Sequence, residues 1–448
     1  MYHKYHHFFV MLSICCLLFL MTACSLFPSS PTTTGSTPTA STTQGKTPTS
    51  TGGTATATTA TMPPTQNTCP AAGTARAEVT APLALGTHQT IVYIFNQGTQ
   101  DAPTSGIIRR FDARTGLKTD IVNIPSSLIY EAQISADGQW VLFTSKMAGQ
   151  MALQMVRMDG KGIQTLHCAA KSLFDVQWSP DQKSLVFFEG ADLSSASVML
   201  LTLANGTLQT ELLPPTQGSK GAIGASPRTW LDNTHIYMTG FVANSDAPPQ
   251  DVYILDTAKG ANQHYSDLQK IIGISGRCYD LDTSFDNSKL LLSQCKGDFN
   301  PSVGVAEQGP SSITTQPALG GGTQNSIYSS ATLALTTMRV ISSTTLLLVI
   351  GNTVGDMSKN GLWKMHTDGS GLTRLSTDTA GHFSSLNGFT QLTWANVSRD
   401  GTLYAVKSSD AQQTNQNLLV GTLSGSSPAT FAAFSGTGSI SVVGWTTM

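Results

Sequence analysis

The sequence predicts an all-β fold, a single propeller of about seven four-stranded antiparallel blades, and three observations carry that prediction. A short phrase of apolar strand, polar turn and second apolar strand recurs beyond residue 85. A second hairpin follows nearly every copy, and the two ends of the repeat region each supply part of one further unit. The copies read ISADGQWVLFTS from Ile134, WSPDQKSLVFFE from Trp178, WLDNTHIYMTG from Trp230, TSFDNSKLLLSQ from Thr283, VISSTTLLLVIG from Val340 and VSRDGTLYAVKS from Val397. Asp or Asn followed by Gly or a polar residue supplies the positive φ and the local side-chain hydrogen bonds that close a hairpin.

The second hairpins read MALQMVRMDGKGIQTL from Met151, SVMLLTLANGTLQTEL from Ser197, DVYILDTAKGANQHY from Asp251, GLWKMHTDGSGLTRLS from Gly361 and NLLVGTLSGSSPATF from Asn417. Anchor positions 134, 178, 230, 283, 340, 397 and 445 are therefore 44, 52, 53, 57, 57 and 48 residues apart. Periods of about 40 to 50 residues with four strands per unit mark propeller blades. The stretch THQTIVYIFNQG with GIIRRFDARTGLKTDIV has three strands and lacks a first one, whereas SISVVGWTTM is a first strand with nothing after it. Joined, they make one blade from both ends and close the ring, which removes exposed sheet edges. Blade five, from Cys278 to Pro317, is the least regular, so six or eight blades stay open at this point.

The phrases SPDQKSLVFF and LWKMHTDGSGLTRLS resemble the WD-like repeats of the TolB-type propeller family. The resemblance covers about residues 85 to 448; it is closest at 134, 178, 361 and 397 and keeps only turn and apolar spacing at 230, 283 and 340. It implies the propeller fold. About function it implies little, since such propellers serve as docking modules, as appendages of peptidases and occasionally as enzymes.

Ahead of the repeats the sequence predicts two further segments. His3, Lys4, His6 and His7 precede an apolar run of 14 residues from Phe8 to Met21, shorter than a membrane span and ending in Met21-Thr22-Ala23-Cys24. This resembles the lipobox of bacterial lipoproteins, with Met21 in place of the usual leucine. The reading is a signal peptide over 1–23, a lipid-modified Cys24, and anchoring by acyl chains at about 0.8 kcal/mol per buried methylene. The alternative is an ordinary secretory signal beside a chance cysteine. Residues 24–68 are dominated by Thr, Ser, Pro and Gly, with Lys46 the one charge in this stretch, and read as a disordered tether. Its coil would span roughly 35 to 40 Å. The propeller then occupies 69–448.

Composition narrows the partners. Only 12% of residues are charged and the net charge is −2, so no basic field for nucleic acid exists. With Cys15 and Cys16 in the signal and Cys24 lipidated, four of seven cysteines remain: Cys69, Cys168, Cys278 and Cys295. Three connectivities are open. Counting outward from the turn at Phe285–Ser288 favours Cys278 with Cys295 and hence Cys69 with Cys168; four buried free thiols are the alternative.

Catalytic and cofactor readings fare less well. There is no G-x-S-x-G elbow, and His88, His167, His235, His264, His366 and His382 lack the H-E-x-x-H or H-x-H spacing of a metal site. Asp280, Asp282 and Asp286 lack an EF-hand spacing and read as strand-end turns. The Gly320-Gly321-Gly322 run lacks a following Lys-Ser or Lys-Thr and reads as a long loop between blades. Trp178, Trp230 and Trp445 close first strands and read as packing between blades. No catalytic residue, cofactor or metal is expected. The loops Asn96–Ser105, Leu213–Ser226, Thr239–Gln250, Pro317–Leu333, Gly351–Asn360 and Thr377–Asn387 fall on one face and are the expected binding surface. The leading expectation is a monomeric, extracytoplasmic, lipid-anchored scaffold that docks an envelope protein. A glycan or small-ligand receptor in the channel and a metal-dependent propeller enzyme are the alternatives.

Overall fold

The S-x-D phrases are turns of one design. In the computed structural model the Ser135 hydroxyl donates to Asp137 (2.5 Å), Ser179 to Asp181 (2.8 Å), Ser284 to Asp286 (2.7 Å) and Ser398 to Asp400 (2.6 Å). Each serine oxygen then accepts the backbone N–H that opens the next strand, at Trp140, Ser184, Lys289 and Leu403, within 2.9–3.0 Å. The left-handed position of each turn falls to Gly138, Gln182, Asn287 and Gly401, with φ between 56° and 73°. Short polar side chains thus replace the hydrogen bonds that the reversing backbone gives up.

The structure describes residues 68–70, 82–84, 86–192, 195–204, 206–216, 223–243, 251–274, 276, 278–300, 304–377, 396–410, 414–425 and 427–448. They form seven antiparallel sheets. Blade one combines β1 (Thr90–Gly98), β2 (Pro103–Asp112) and β3 (Lys118–Pro125) with the final strand, β27 (Gly438–Thr446), as its innermost member. Blade two holds β4 (Ile129–Ile134), β5 (Trp140–Met147), β6 (Gln150–Arg157) and β7 (Gln164–Ala169). Blade three holds β8 (Ser172–Trp178), β9 (Ser184–Gly190), β10 (Ser197–Thr202) and β11 (Thr207–Leu213). Blade four holds β12 (Ile223–Trp230), β13 (His235–Val242), β14 (Asp251–Asp256) and β15 (Gln269–Gly273).

Blade five holds β16 (Cys278–Thr283), β17 (Lys289–Asn300), β18 (Gly304–Pro317) and β19 (Asn325–Ser330). Blade six holds β20 (Leu335–Ser342), β21 (Thr345–Ile350), β22 (Gly361–His366) and β23 (Thr373–Thr377). Blade seven shows β24 (Leu403–Ser409), β25 (Asn415–Thr422) and β26 (Ala429–Ser435), and a bridge from Val397 to Tyr404 marks its first strand among the described residues. The protein is therefore a seven-bladed propeller, and β27 pairs with β1 from Thr90↔Thr446 to Gln97↔Gly438, as the split repeat required.

The core consists of seven seams between blades rather than one central mass. Second strands are apolar without interruption because both their faces are buried: Leu185 and Phe187 of β9 pack toward blade two, and Val186 and Phe188 toward blade four. Trp178 and Trp230 pack in the seams on either side of blade three, and Trp445 packs between blades seven and one. In that last seam Phe111 stacks on Phe431 at 4.8 Å between centroids and Tyr93 meets Phe431 edge-on at 5.7 Å. Aromatic pairs of this kind add to the area they bury.

One expectation needs correcting here. Pro317–Leu333 is not a loop between blades, because β19 runs through it and leaves only a turn after β18, where Gly320 and Gly321 take positive φ of 76°. The irregularity of blade five comes from length: β17 and β18 continue for five ladder pairs, Lys296↔Gln308 to Asn300↔Gly304, past the ends of β16 and β19. The pair projects as an arm on the long-loop face.

Trp445 is fully buried in the closing seam. Trp445→Ala is expected to cost about 3–5 kcal/mol in denaturant unfolding. Loss of ring closure as a single cooperative transition would show as a lower midpoint seen equally by tryptophan fluorescence and circular dichroism.

Candidate functional site

First strands wall the centre of the ring, and polar side chains on them reach across to the neighbouring blade. In blade two, Glu131 accepts the backbone N–H groups of Asp175 (3.1 Å) and Val176 (3.2 Å), and Gln133 accepts that of Trp178 (3.0 Å). Gln177 of blade three donates to the Arg228 carbonyl of blade four (2.8 Å). In blade five, Asp280 accepts the N–H of Met338 (2.9 Å) and the Arg339 guanidinium (2.6 Å), while Asp282 accepts the N–H of Val340 (2.8 Å). Asp280 and Asp282 are thus not turn residues. They lie within β16 and stitch blade five to blade six, whereas Asp286 does sit in the turn.

Bulges make these contacts possible. The ladder slips at Ile129/Glu131, Phe174/Gln177 and Pro227/Thr229, once in the first strand of blades two, three and four, and twice in that of blade six, at Leu335/Thr337 and Val340/Ser342. A bulge turns consecutive N–H groups out of the ladder and re-aims the local side chain. At Asp175 the backbone is left-handed, with φ of 54°, and its freed N–H donates with that of Val176 to the Glu131 carboxylate. The strain at a non-glycine residue is offset by charge-assisted hydrogen bonds.

From blade three to blade six the charges alternate, Asp175, Arg228, Asp280 and Arg339, whereas Glu131 of blade two neighbours a like charge. Burial raises the Glu131 carboxyl, and the neighbouring Asp175 raises it further. Burial also raises Asp175, with Arg228 opposing. Arg228 is raised chiefly by Tyr279, whose ring lies 5.6 Å from the guanidinium carbon, and also by Asp175 and Asp280, against the cost of burial. Burial pushes Asp282 up to about 6, with Arg339 pulling it down. The carboxylates of Glu131, Asp280 and Asp282 already accept backbone or guanidinium hydrogens, so the arrangement is a hydrogen-bonded wall whose first task is to hold blades together.

The other sequence candidates lie apart. His88 pairs with Asp112, His167 with Glu189 and His235 with Asp232, each at 2.8 Å and each in a different part of the ring. Among the described residues no three His, Cys, Asp or Glu side chains form a group able to hold a metal ion. Cys278 is bonded to Cys295, its direct ladder partner, and Cys69 to Cys168. Cys24 and His382 lie outside the described residues. At the top of blade five a cleft of about 670 Å³ is lined by Gln294, Cys295, Lys296, Ser311 and Ser329. The Gln294 amide nitrogen and the Ser311 hydroxyl beside it are buried without partners.

Fold and wall together define the class of protein, a seven-bladed propeller with a charged, cross-stitched inner surface. No family model matches the chain, and no curated protein matches it. Among solved structures it is similar to TolB from Acinetobacter baumannii, at 13% identity over 79% of this chain and 82% of that one, with a TM-score of 0.43. It is also similar to the β-propeller domain of the Trilobed protease from Pyrococcus furiosus, at 10% identity over 79% and 94%, with a TM-score of 0.48. A functionally unknown protein from Desulfotomaculum acetoxidans matches at 15% identity over 79% and 99%, with a TM-score of 0.47.

Two outcomes test the wall. Asp280→Ala takes from Arg339 its buried carboxylate and is expected to cost about 3–5 kcal/mol in denaturant unfolding. Asp282 binds its proton more tightly folded than unfolded. Its contribution therefore favours the fold below the ordinary carboxylate range and fades as the pH rises through about 6. Asp282→Asn removes that titration. Between about pH 4 and about pH 7 the variant should lose about 2 kcal/mol less stability than the unmodified protein, measured by urea titration at both values.

Proposed function

We propose that this chain is an exported lipoprotein whose propeller docks a protein partner in the cell envelope without catalysing a reaction. In this reading residues 1–23 are removed as a signal, Cys24 carries the lipid, 24–68 form a tether, and 69–448 act as a monomeric scaffold at the outer face of the membrane. The observation that carries it is the division of labour between wall and rim. Glu131, Asp280, Asp282 and Arg339 of the inner wall are engaged in blade-to-blade hydrogen bonds. The β17–β18 arm extends beyond β16 and β19, outside that framework, and the expected loops at 217–222, 244–250 and 378–387 lie outside the described residues. Binding surfaces on rigid scaffolds are built from such segments.

The test is crosslinking and affinity capture from intact cells expressing tagged protein. Three comparisons accompany it: Cys24→Ala, a tether-only control, and a variant in which 298–305 are replaced by a two-residue turn. The docking reading expects one envelope protein recovered reproducibly with the full chain, absent from the tether-only control and depleted with the shortened arm. Cys24→Ala should move the protein from the membrane to the soluble fraction, and the N-terminal peptide of the unmodified protein should carry the diacylglyceryl mass. Equal recovery with the tether alone would overturn docking, and an unmodified Cys24 would overturn the anchor.

A further inference from the structure

The two disulfides differ in the properties that govern thiol exchange. Cys278 and Cys295 are 2% and 5% exposed, pack with Ala334 beneath the cleft that Cys295 helps to line, and sit directly opposite each other on β16 and β17, whose six ladder pairs hold them together whether or not the sulphurs are joined. Cys69 is exposed and Cys168 half-buried on β7, the outermost strand of blade two, with no strand beyond it. Their bond links residues 99 positions apart. The next described fastening along the lead-in is Leu83, whose N–H donates to Gln139 at 2.9 Å and whose side chain packs on the seam of blades one and two.

Exchange needs a thiolate to reach one sulphur in line with the bond, so exposure decides which bridge opens first. We propose that Cys69–Cys168 is a tie that a dithiol reductant opens selectively, leaving Cys278–Cys295 and the ring intact. One thiolate of the reductant attacks the Cys69 sulphur, and Cys168 leaves as a thiolate and takes up a proton. The second reductant thiol then displaces Cys69 from the mixed disulfide, so the protein gains two electrons and two protons and the reductant ends as its own disulfide. With the tie closed, the segment upstream of Cys69 leaves the propeller at the outer rim of blade two. Once it opens, the hold at Cys69 is lost, and the next fastening among the described residues is Leu83. The use of that release rests on the tether reading above; the selectivity does not.

The experiment uses the full chain in detergent, exposed to graded dithiothreitol, with free thiols alkylated by one mass label and the remaining cysteines by a second after complete reduction. Tryptophan fluorescence follows the ring in parallel. The expected result is that Cys69 and Cys168 take the first label at about tenfold lower reductant than Cys278 and Cys295, with fluorescence unchanged. Three results would overturn the proposal: both pairs opening together, Cys278–Cys295 opening first, or Cys69–Cys168 opening only as fluorescence is lost. A failure to capture any envelope partner would leave this readout untouched, so the two readings fail separately.

Discussion

A propeller blade cannot satisfy itself, and the structure depends on how that debt is shared between neighbours. Each sheet is apolar on both faces, so each must be sandwiched, and the seams from Ile91–Trp445 round to Val397–Tyr404 supply the bulk of the burial. Apolar contact is not directional and would allow one blade to slide along the next. Direction comes from the inner wall. Glu131 on Asp175 and Val176, Asp280 on Met338 and Asp282 on Val340 set the first strands of blades two and three, and of blades five and six, in register. Asn96 does the same between blades one and two, donating to and accepting from Ile129 at 2.8 and 3.0 Å.

Much of this fold was legible because its grammar is local. S-x-D with a left-handed residue directly after the aspartate closes a turn through atoms of the turn itself, so Ser135 and Ser398 announce their hairpins unaided. Continuous apolar runs such as Leu346–Ile350 announce second strands because both faces are buried. What was not legible has its partner elsewhere in the chain. Asp280 looks like a turn residue until Met338, 58 positions on, is seen to donate to it. The excess length of β17 and β18 has no cue in periodicity, since the arm keeps pairing where β16 and β19 have stopped. The glycine run at 320–322 reads as a link between blades because the pairing of β19 with β18 is weakly patterned in sequence.

The polar wall carries an electrostatic tension of its own. Carboxyls at 131, 175 and 282 are all raised by burial, and guanidiniums at 228 and 339 stand among them. Buried charges of this kind specify an arrangement more than they stabilise it, because desolvation consumes most of the attraction. Their value to a ring is uniqueness. Blades of similar shape and similar apolar seams differ in which acid meets which amide, and a misordered neighbour would leave a charge unpaired.

The seam that closes the ring also sets the order of events when the chain is made. Thr90 donates to the carbonyl of Met448 at 2.8 Å across 358 positions, and β1 waits for β27 through the synthesis of every other blade. Until then one edge of β1 offers a row of unpaired amides, and Ile91 and Tyr93 lack the covering that Trp445 and Ile440 later give them. Arg399 fastens the same region last: its guanidinium reaches the carbonyls of Ala136 and Trp445, so the seventh, first and second blades meet at one side chain. A nascent propeller of this design is an open crescent with a sticky rim, and its need for a chaperone should be greatest just before β27 emerges.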